Sequence, residues 1–296
     1  MNTEIKMARY SIDTCAMLVE LNVSQWTARK LDRSVSDELV ANKQAQNKGA
    51  ARVNKHLLAG RNELEVISKF VTQTRDMVYD NTLPWSDSGI RLLPSVKFME
   101  FNTKLQHAED TFYGLVTEFV QVYPSLITAQ AMALGDMFNR TDYPNPNDIE
   151  HRFRFNVNYM PVPASGDFRV DIGNDAQEEL RKKLSSLADE RVDHAMKDIK
   201  GRLLEHLKRM SDRLSIDYVS GEAKPRKFHD SLLEGAHDLC DLASSLNIIN
   251  DPQLDEARKA LKKAIGGIDV KDLRKDVGAR TDVKTQVDDI LSKFSF

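Results

Sequence analysis

Apolar residues recur every three or four positions through most of this chain, and that spacing predicts helices. Leu64, Ile67, Phe70, Val71, Thr74 and Val78 make one stripe over Asn62–Tyr79. A longer stripe begins at Ser95 and carries Phe98, Phe101, Leu105, Ala108, Phe112, Leu115, Val116, Phe119 and Val120. Pro124 falls inside it and either kinks one long helix or starts a second over Ser125–Phe138. Gly135 and the two prolines Pro144 and Pro146 mark the stop. The longest stripe starts after Asn174, with Gln177, Glu178 and Glu179 suiting a positive helix end. Leu180, Leu184, Leu187, Val192, Ala195, Ile199, Leu203, Leu207, Met210 and Leu214 follow. Some 40 residues at ~1.5 Å each span about 60 Å. The pattern predicts a coiled-coil-like arm, or an antiparallel hairpin with the Ser95–Phe138 helix. Shorter helices are expected over Phe228–Leu246, over Asp251–Ile265 with Asp251 as cap and Pro252 at the first position, and over Thr281–Phe294.

Other segments break the helical period. Phe153–Met160 alternates, with Phe153, Phe155, Val157 and Tyr159 on one side, and reads as a strand. Phe168–Ile172 alternates too, so a two-stranded antiparallel unit is expected. Two strands alone are marginal, so the pair must pack on the helices or gain a third strand from Leu83–Leu93. Ser11–Val23 fits helix or mixed spacing. Ser24 is a candidate cap for a helix through Ala28 and Leu31, and Ser36–Leu58 is mostly helix-compatible. Tyr218–Lys227 reads as a polar linker. The expected fold is mainly α, with long antiparallel helices and a small antiparallel β element. Three regions follow in order: 1–94 with a basic segment and a Pro/Trp loop, 95–219 with the hairpin and the β element, and 220–296 with small helices.

Composition narrows the classes. The 41% hydrophobic and 29% charged content of this 296-residue chain fits a soluble protein with a core, and the net charge of −3 forces no nucleic-acid partner. Cys15 and Cys240 form no CxxC and read as core thiols of a reduced, intracellular protein. No secretory leader and no membrane span is expected. Phosphate-loop, dinucleotide, GxSxG and HExxH signatures are missing, so no cofactor or metal is expected. Glu190, His194 and Asp198 share a helix face, which reads as a solvated charged face rather than a metal site.

Two constellations stand out. Leu39–Asn62 has no acid and carries Lys43, Lys48, Arg52, Lys55 and Arg61, with Arg29, Lys30 and Arg33 upstream. Lys48, Arg52 and Lys55 at i, i+4 and i+7 form either one phosphate-contacting helical stripe or a solvated face. Asn81–Pro94 and Met160–Asp171 are dense in Pro, Gly and Asp. They hold Trp85, Asp87, Arg91, Asp167, Phe168 and Arg169. Asp87 and Arg91 are expected to hold each other, with Trp85 and Phe168 either sealing a core or anchoring an interface.

These segments carry a resemblance. Trp26–Arg33, Asn81–Pro94 with its Leu-Pro-Trp, Ala131–Pro144, and Pro161–Val170 with its Gly-Asp-Phe-Arg are similar to an uncharacterised family of tailed-phage and prophage proteins, a domain of unknown function. The similarity runs over roughly Asn22–Asn250 and transfers no catalytic residue. It implies a phage-encoded protein of the host cytoplasm, encoded near AAA+ ATPases of the MoxR type and von Willebrand-type partners. The resulting expectation is a non-enzymatic interaction or assembly protein that self-associates or serves as an adaptor for such an ATPase. The alternatives are a nucleic-acid-binding accessory protein using the 29–61 region and an enzyme of unrecognised type.

Overall fold

The three- and four-residue spacing is realised in two very long helices, α4 (Phe98–Ala133) and α5 (Asn174–Leu214), of 36 and 41 residues. The computed structural model describes residues 12–47, 49–163, 174–219 and 222–294. In chain order the elements are α1 (Ile12–Cys15), β1 (Ala16–Ser24), β2 (Arg29–Asp32), α2 (Arg33–Asn42), β3 (Val53–His56), α3 (Glu63–Asn81), β4 (Leu83–Pro84), β5 (Arg91–Pro94), α4, β6 (Arg154–Pro161), α5, β7 (Ile216–Val219), β8 (Glu222–Pro225), α6 (Ser231–Leu246), α7 (Pro252–Ile265), α8 (Val270–Lys275) and α9 (Val277–Lys293). The architecture is mainly α with small antiparallel sheets. Its residues fall into two compact units, each assembled from segments far apart in sequence: 1–20, 79–101 and 158–296 in the first, 21–78 and 102–157 in the second.

The first unit is a helical layer over a sheet of strand order β4-β5-β1-β6. Strand β5 lies antiparallel to both β1 and β4, with Leu18 opposite Leu92 and Leu83 opposite the same residue. Leu83, Trp85 and Leu92 join Ile199, Leu203, Leu207, Met210 and the apolar faces of α6, α7 and α9 in one core. Helix α5 packs on α9, α6 and β4. His206 Nε2 of α5 donates to Leu232 O at 3.1 Å, and a Cβ on Gly235 of α6 would stand 3.1 Å from its ring, so glycine permits that approach. Asp251 caps α7 by accepting from Leu254 N, with Pro252 opening the helix as its sequence predicts. Asp276 ends α8 and caps α9 through the amides of Gly278 and Ala279, so α9 begins four residues before the expected Thr281.

The second unit is built on α4. Leu105, Ala108, Phe112, Val116, Phe119, Tyr123, Leu126 and Gln130 are buried along one face at the predicted spacing. Rings cover that face: Trp26 lies 5.5 Å from Tyr123, and Phe153 and Phe155 lie 5.7 Å from Phe119 and 5.6 Å from Phe112. Helix α3 buries Leu64, Ile67, Val71, Thr74 and Val78. Tyr143 Oη donates to Leu57 O at 2.7 Å and Gln130 Nε2 to Ala59 O at 2.9 Å, which fixes the turn before α3.

Several expectations change. From Ala195 onward the α5 stripe is covered within its own unit by α6, α9 and β4, and most of the α4 stripe by aromatic side chains of the second unit. Pro124 lies within one continuous α4, which stops at Ala133 because Gly135 takes φ 51°. No helix runs from Ser24 to Leu31. Ala28 is buried with φ 51°, its carbonyl takes Leu57 N, and Arg29–Asp32 pairs with β3. The Ser36–Leu58 stretch is helical only to Asn42 and later becomes strand β3. Tyr218–Lys227 is not a plain linker: Ile216–Val219 and Glu222–Pro225 pair as a hairpin. The strand over 154–161 forms, and its sheet gains β4 and β5 from the Leu83–Leu93 region, while the expected partner strand 168–172 lies outside the described residues.

Candidate functional site

Proline, glycine and a β-hairpin shape the Asn81–Pro94 segment. Trp85 N and Ser86 N both donate to Ile90 O, and Gly89 turns the chain at φ 90°. Trp85 is buried at 4% exposure, with the Arg191 guanidinium 5.4 Å from its ring centre. Asp87 is exposed at the turn and does not hold Arg91. Arg91 turns inward instead. Its Nε donates to Thr82 Oγ1 at 2.6 Å, its Nη2 to Thr82 O at 3.0 Å, and its guanidinium lies 4.3 Å over the Tyr79 ring. Arg202 donates to Tyr79 O at 2.9 Å and Thr82 O at 3.1 Å. Two arginines therefore satisfy carbonyls at, and one residue past, the C-terminal end of α3. Burial, with Arg202 nearby, brings Arg91 down to about 10. This segment is a helix cap and a core plug. Asp167, Phe168 and Arg169 lie outside the described residues.

The basic segment folds differently from its helical reading. Lys48 lies outside the described residues, and Lys55 sits in strand β3, so no helix carries Lys48, Arg52 and Lys55 on one face. Pairing of β3 with β2 overrides the helical period. Lys55 is buried at 8% exposure. Its Nζ stands 2.6 Å from Asp142 Oδ2, 3.6 Å from Asp32 Oδ2 and 2.9 Å from Met137 O. Lys30 reaches Asp142 Oδ1 at 2.8 Å. The Asp142 hydrogen bond raises Lys55 above its ordinary value. Burial pushes the Asp142 carboxyl up, but Lys30 and Lys55 together hold it below the usual range. Asp32 is also lowered, by the Ser34 hydroxyl first, then the Val35 amide and Lys55. Asp32 simultaneously caps α2. This clasp ties β2, β3 and the turn at 140–142 together.

The clasp floors a cleft of about 950 Å³ lined by Leu31, Arg33, Glu38, Met137, Phe138 and Arg140 among others. Its rim mixes both signs of charge, and its cations Lys55 and Lys30 are already paired. Arg29, Arg33, Lys43, Arg52 and Arg61 remain exposed.

A further surface, outside both the shaped loop and the basic segment, lies on α5. From Ala195 onward, Ala195, Ile199, Leu203, Leu207, Met210 and Leu214 are each buried to 0% or 1% exposure. Before it, Leu180 and Leu184 are half-buried and Leu187 is 40% exposed. Among the described side chains, none from Glu178 to His194 is buried. Among the described residues the same apolar register thus continues about four turns, at 3.6 residues each, beyond its fully buried part. The sequence showed the stripe, but not where the cover ends.

Among the described residues no group of histidine, cysteine and acid side chains is placed to hold a metal ion, and Asp198 is paired with Arg202 at 2.7 Å. Cys15 is half-buried rather than internal, while Cys240 is buried, and burial pushes its thiol up to about 11. Among the described residues no helix is long and apolar enough to cross a membrane. No curated protein and no solved structure matches the chain. Residues 14–216, well over half its length, match the family described as protein of unknown function (DUF3150), and the chain belongs to that family.

Proposed function

We propose that this is a non-enzymatic interaction protein that docks a protein partner through the first turns of α5. The observation that carries the reading is the apolar register Leu180, Leu184 and Leu187, which continues a fully covered stripe but is only half-buried at Leu180 and Leu184 and 40% exposed at Leu187. Apolar helix faces of this kind are stabilised by a facing helix or groove. The covered half, Ala195–Leu214, anchors the helix in its unit's core. A phage or prophage source, a cytoplasmic location and an adaptor role toward an AAA+ ATPase belong to the same reading, because the sequence resemblance implies them.

A photo-activated crosslinking residue placed at Leu184 or Leu187, in cells making the protein, tests it. Crosslinked adducts are expected at both positions and not at Ser186 on the opposite face. Equal yields at all three positions would defeat the reading.

A further inference from the structure

We propose that the occupant of the half-exposed α5 face is the same face of a second copy, paired antiparallel about a two-fold axis; this rests on the interaction reading above. The argument is charge and register. Leu180, Leu184 and Leu187 fall at the d, a and d positions of a heptad, with Arg191 at the next a position. An antiparallel pairing that sets Leu184 of one copy against Leu187 of the other makes two equivalent leucine layers, as a two-fold axis requires. The flanking positions are then fixed. Lys183 of each copy faces Glu190 of the other, giving two opposite-charge pairs. The other flank meets Ala188, which carries no charge, so no like-charge conflict arises there.

The parallel alternative fails on the same residues. It would leave Lys183 beside Ala188, with no opposite-charge pair on either flank. Arg191 is in any case held over the Trp85 ring at 5.4 Å, which ends the free face there. Lys183 is 71% exposed and, among the described residues, is paired along its own helix with Glu179 at 2.7 Å, an exposed pair that exchanges at little cost. Glu190 is exposed. The apolar contact is short, so the dimer should be weak and concentration-dependent.

The test is the solution mass of the full chain by sedimentation equilibrium over roughly 1 to 100 µM. A monomer–dimer equilibrium is expected in the native protein. Lys183→Glu or Glu190→Lys alone should weaken it by about tenfold or more, because each puts two like-charge pairs in the interface. The double variant Lys183→Glu with Glu190→Lys should restore it, since only the facing arrangement makes the two changes compensate. Leu184→Glu should abolish it while circular dichroism stays unchanged. A monomer at every concentration overturns the proposal, as does a dimer indifferent to Leu184→Glu or to the single reversals. If the chain is monomeric and Leu184 still crosslinks a different protein, the second-copy proposal fails and the interaction reading stands.

Discussion

At the scale of single residues, the buried cations act as structural clasps. Lys55 holds Asp142 and Asp32, and both acids have lowered values. Their contribution is present above the ordinary carboxylate value of 3.8 and fades as pH falls through the lower folded values. Lys55→Gln leaves those carboxylates without their cation and should cost about 3 kcal/mol near neutral pH, the low end for a broken buried pair because Lys30 still reaches Asp142. The cost should shrink as pH falls toward about 4, where the unpaired acids of the variant take up protons. Thermal melts of both proteins across that pH range check it; a constant difference would remove the clasp from the stability account. Arg280 presents a second case. It is 1% exposed, and its guanidinium donates to the carbonyls of Leu214 at 2.9 Å, Arg213 and Arg226. The first two are carbonyls that the end of α5 leaves open. Arg280→Leu should destabilise by about 2–4 kcal/mol, since each buried carbonyl left unpaired costs roughly 1–3. Lysine at the same position should recover only part, lacking the planar fork; chemical denaturation measures both.

At the scale of elements, the two long helices differ in how far their stripes are covered. Phe112 of α4 is fully buried among the rings of Tyr113, Phe153 and Phe155, and Phe112→Ala should cost about 3–5 kcal/mol. Met132, at 89% exposure near the end of the same helix, should change stability by less than about 0.5 kcal/mol when made Ala. Along α5 the contrast falls within one stripe. Leu203→Ala should cost about 2–5 kcal/mol, and Leu184→Ala about 0.5 kcal/mol or less. Urea titrations of the four variants test this at a protein concentration low enough to keep the chain monomeric. Equal losses at Leu203 and Leu184 would mean that Leu184 is covered within the chain. Helix periodicity made both stripes legible, but a stripe records only which residues seek cover, and the cover comes from segments distant in sequence.

For the molecule as a whole, the charge distribution separates the two leading functions. Net charge is −3, Lys55 is internal and Lys30 is paired. The exposed cations Arg29, Arg33, Lys43, Arg52 and Arg61 are set on β2, α2 and loops rather than along one helix face. We expect no gel shift with single- or double-stranded DNA or RNA at low salt. Binding that weakens steeply with salt and is lost when Arg29, Arg33 and Arg52 become Gln would reinstate the nucleic-acid reading. The compact units are also discontinuous in sequence, whereas the sequence suggests consecutive regions at 1–94, 95–219 and 220–296. Period and turn chemistry report local preference and contain no term for which segments return to one another.

The sequence by itself determined the helices that depend on neighbours within a turn: α3, α5, and α7 with its Asp251–Pro252 start all lie close to where their spacing and caps put them. It also determined that 154–161 is extended and that Asn81–Pro94 is a shaped segment rather than a helix, while the burial of its Trp85 and Arg91 is a tertiary result. Tertiary structure decided the rest. Residues 53–56 are strand because 29–32 pairs with them, and that pairing turns Lys55 from a helix-face cation into an internal one. Arg91 serves the end of α3 rather than Asp87, because open helix carbonyls buried beside it require donors more than an exposed carboxylate requires a partner. Where cover stops on α5 is likewise decided by the reach of α6 and α9. Local patterns fix what a segment prefers, and burial of polar groups and of apolar area across long sequence separations fixes which preference survives.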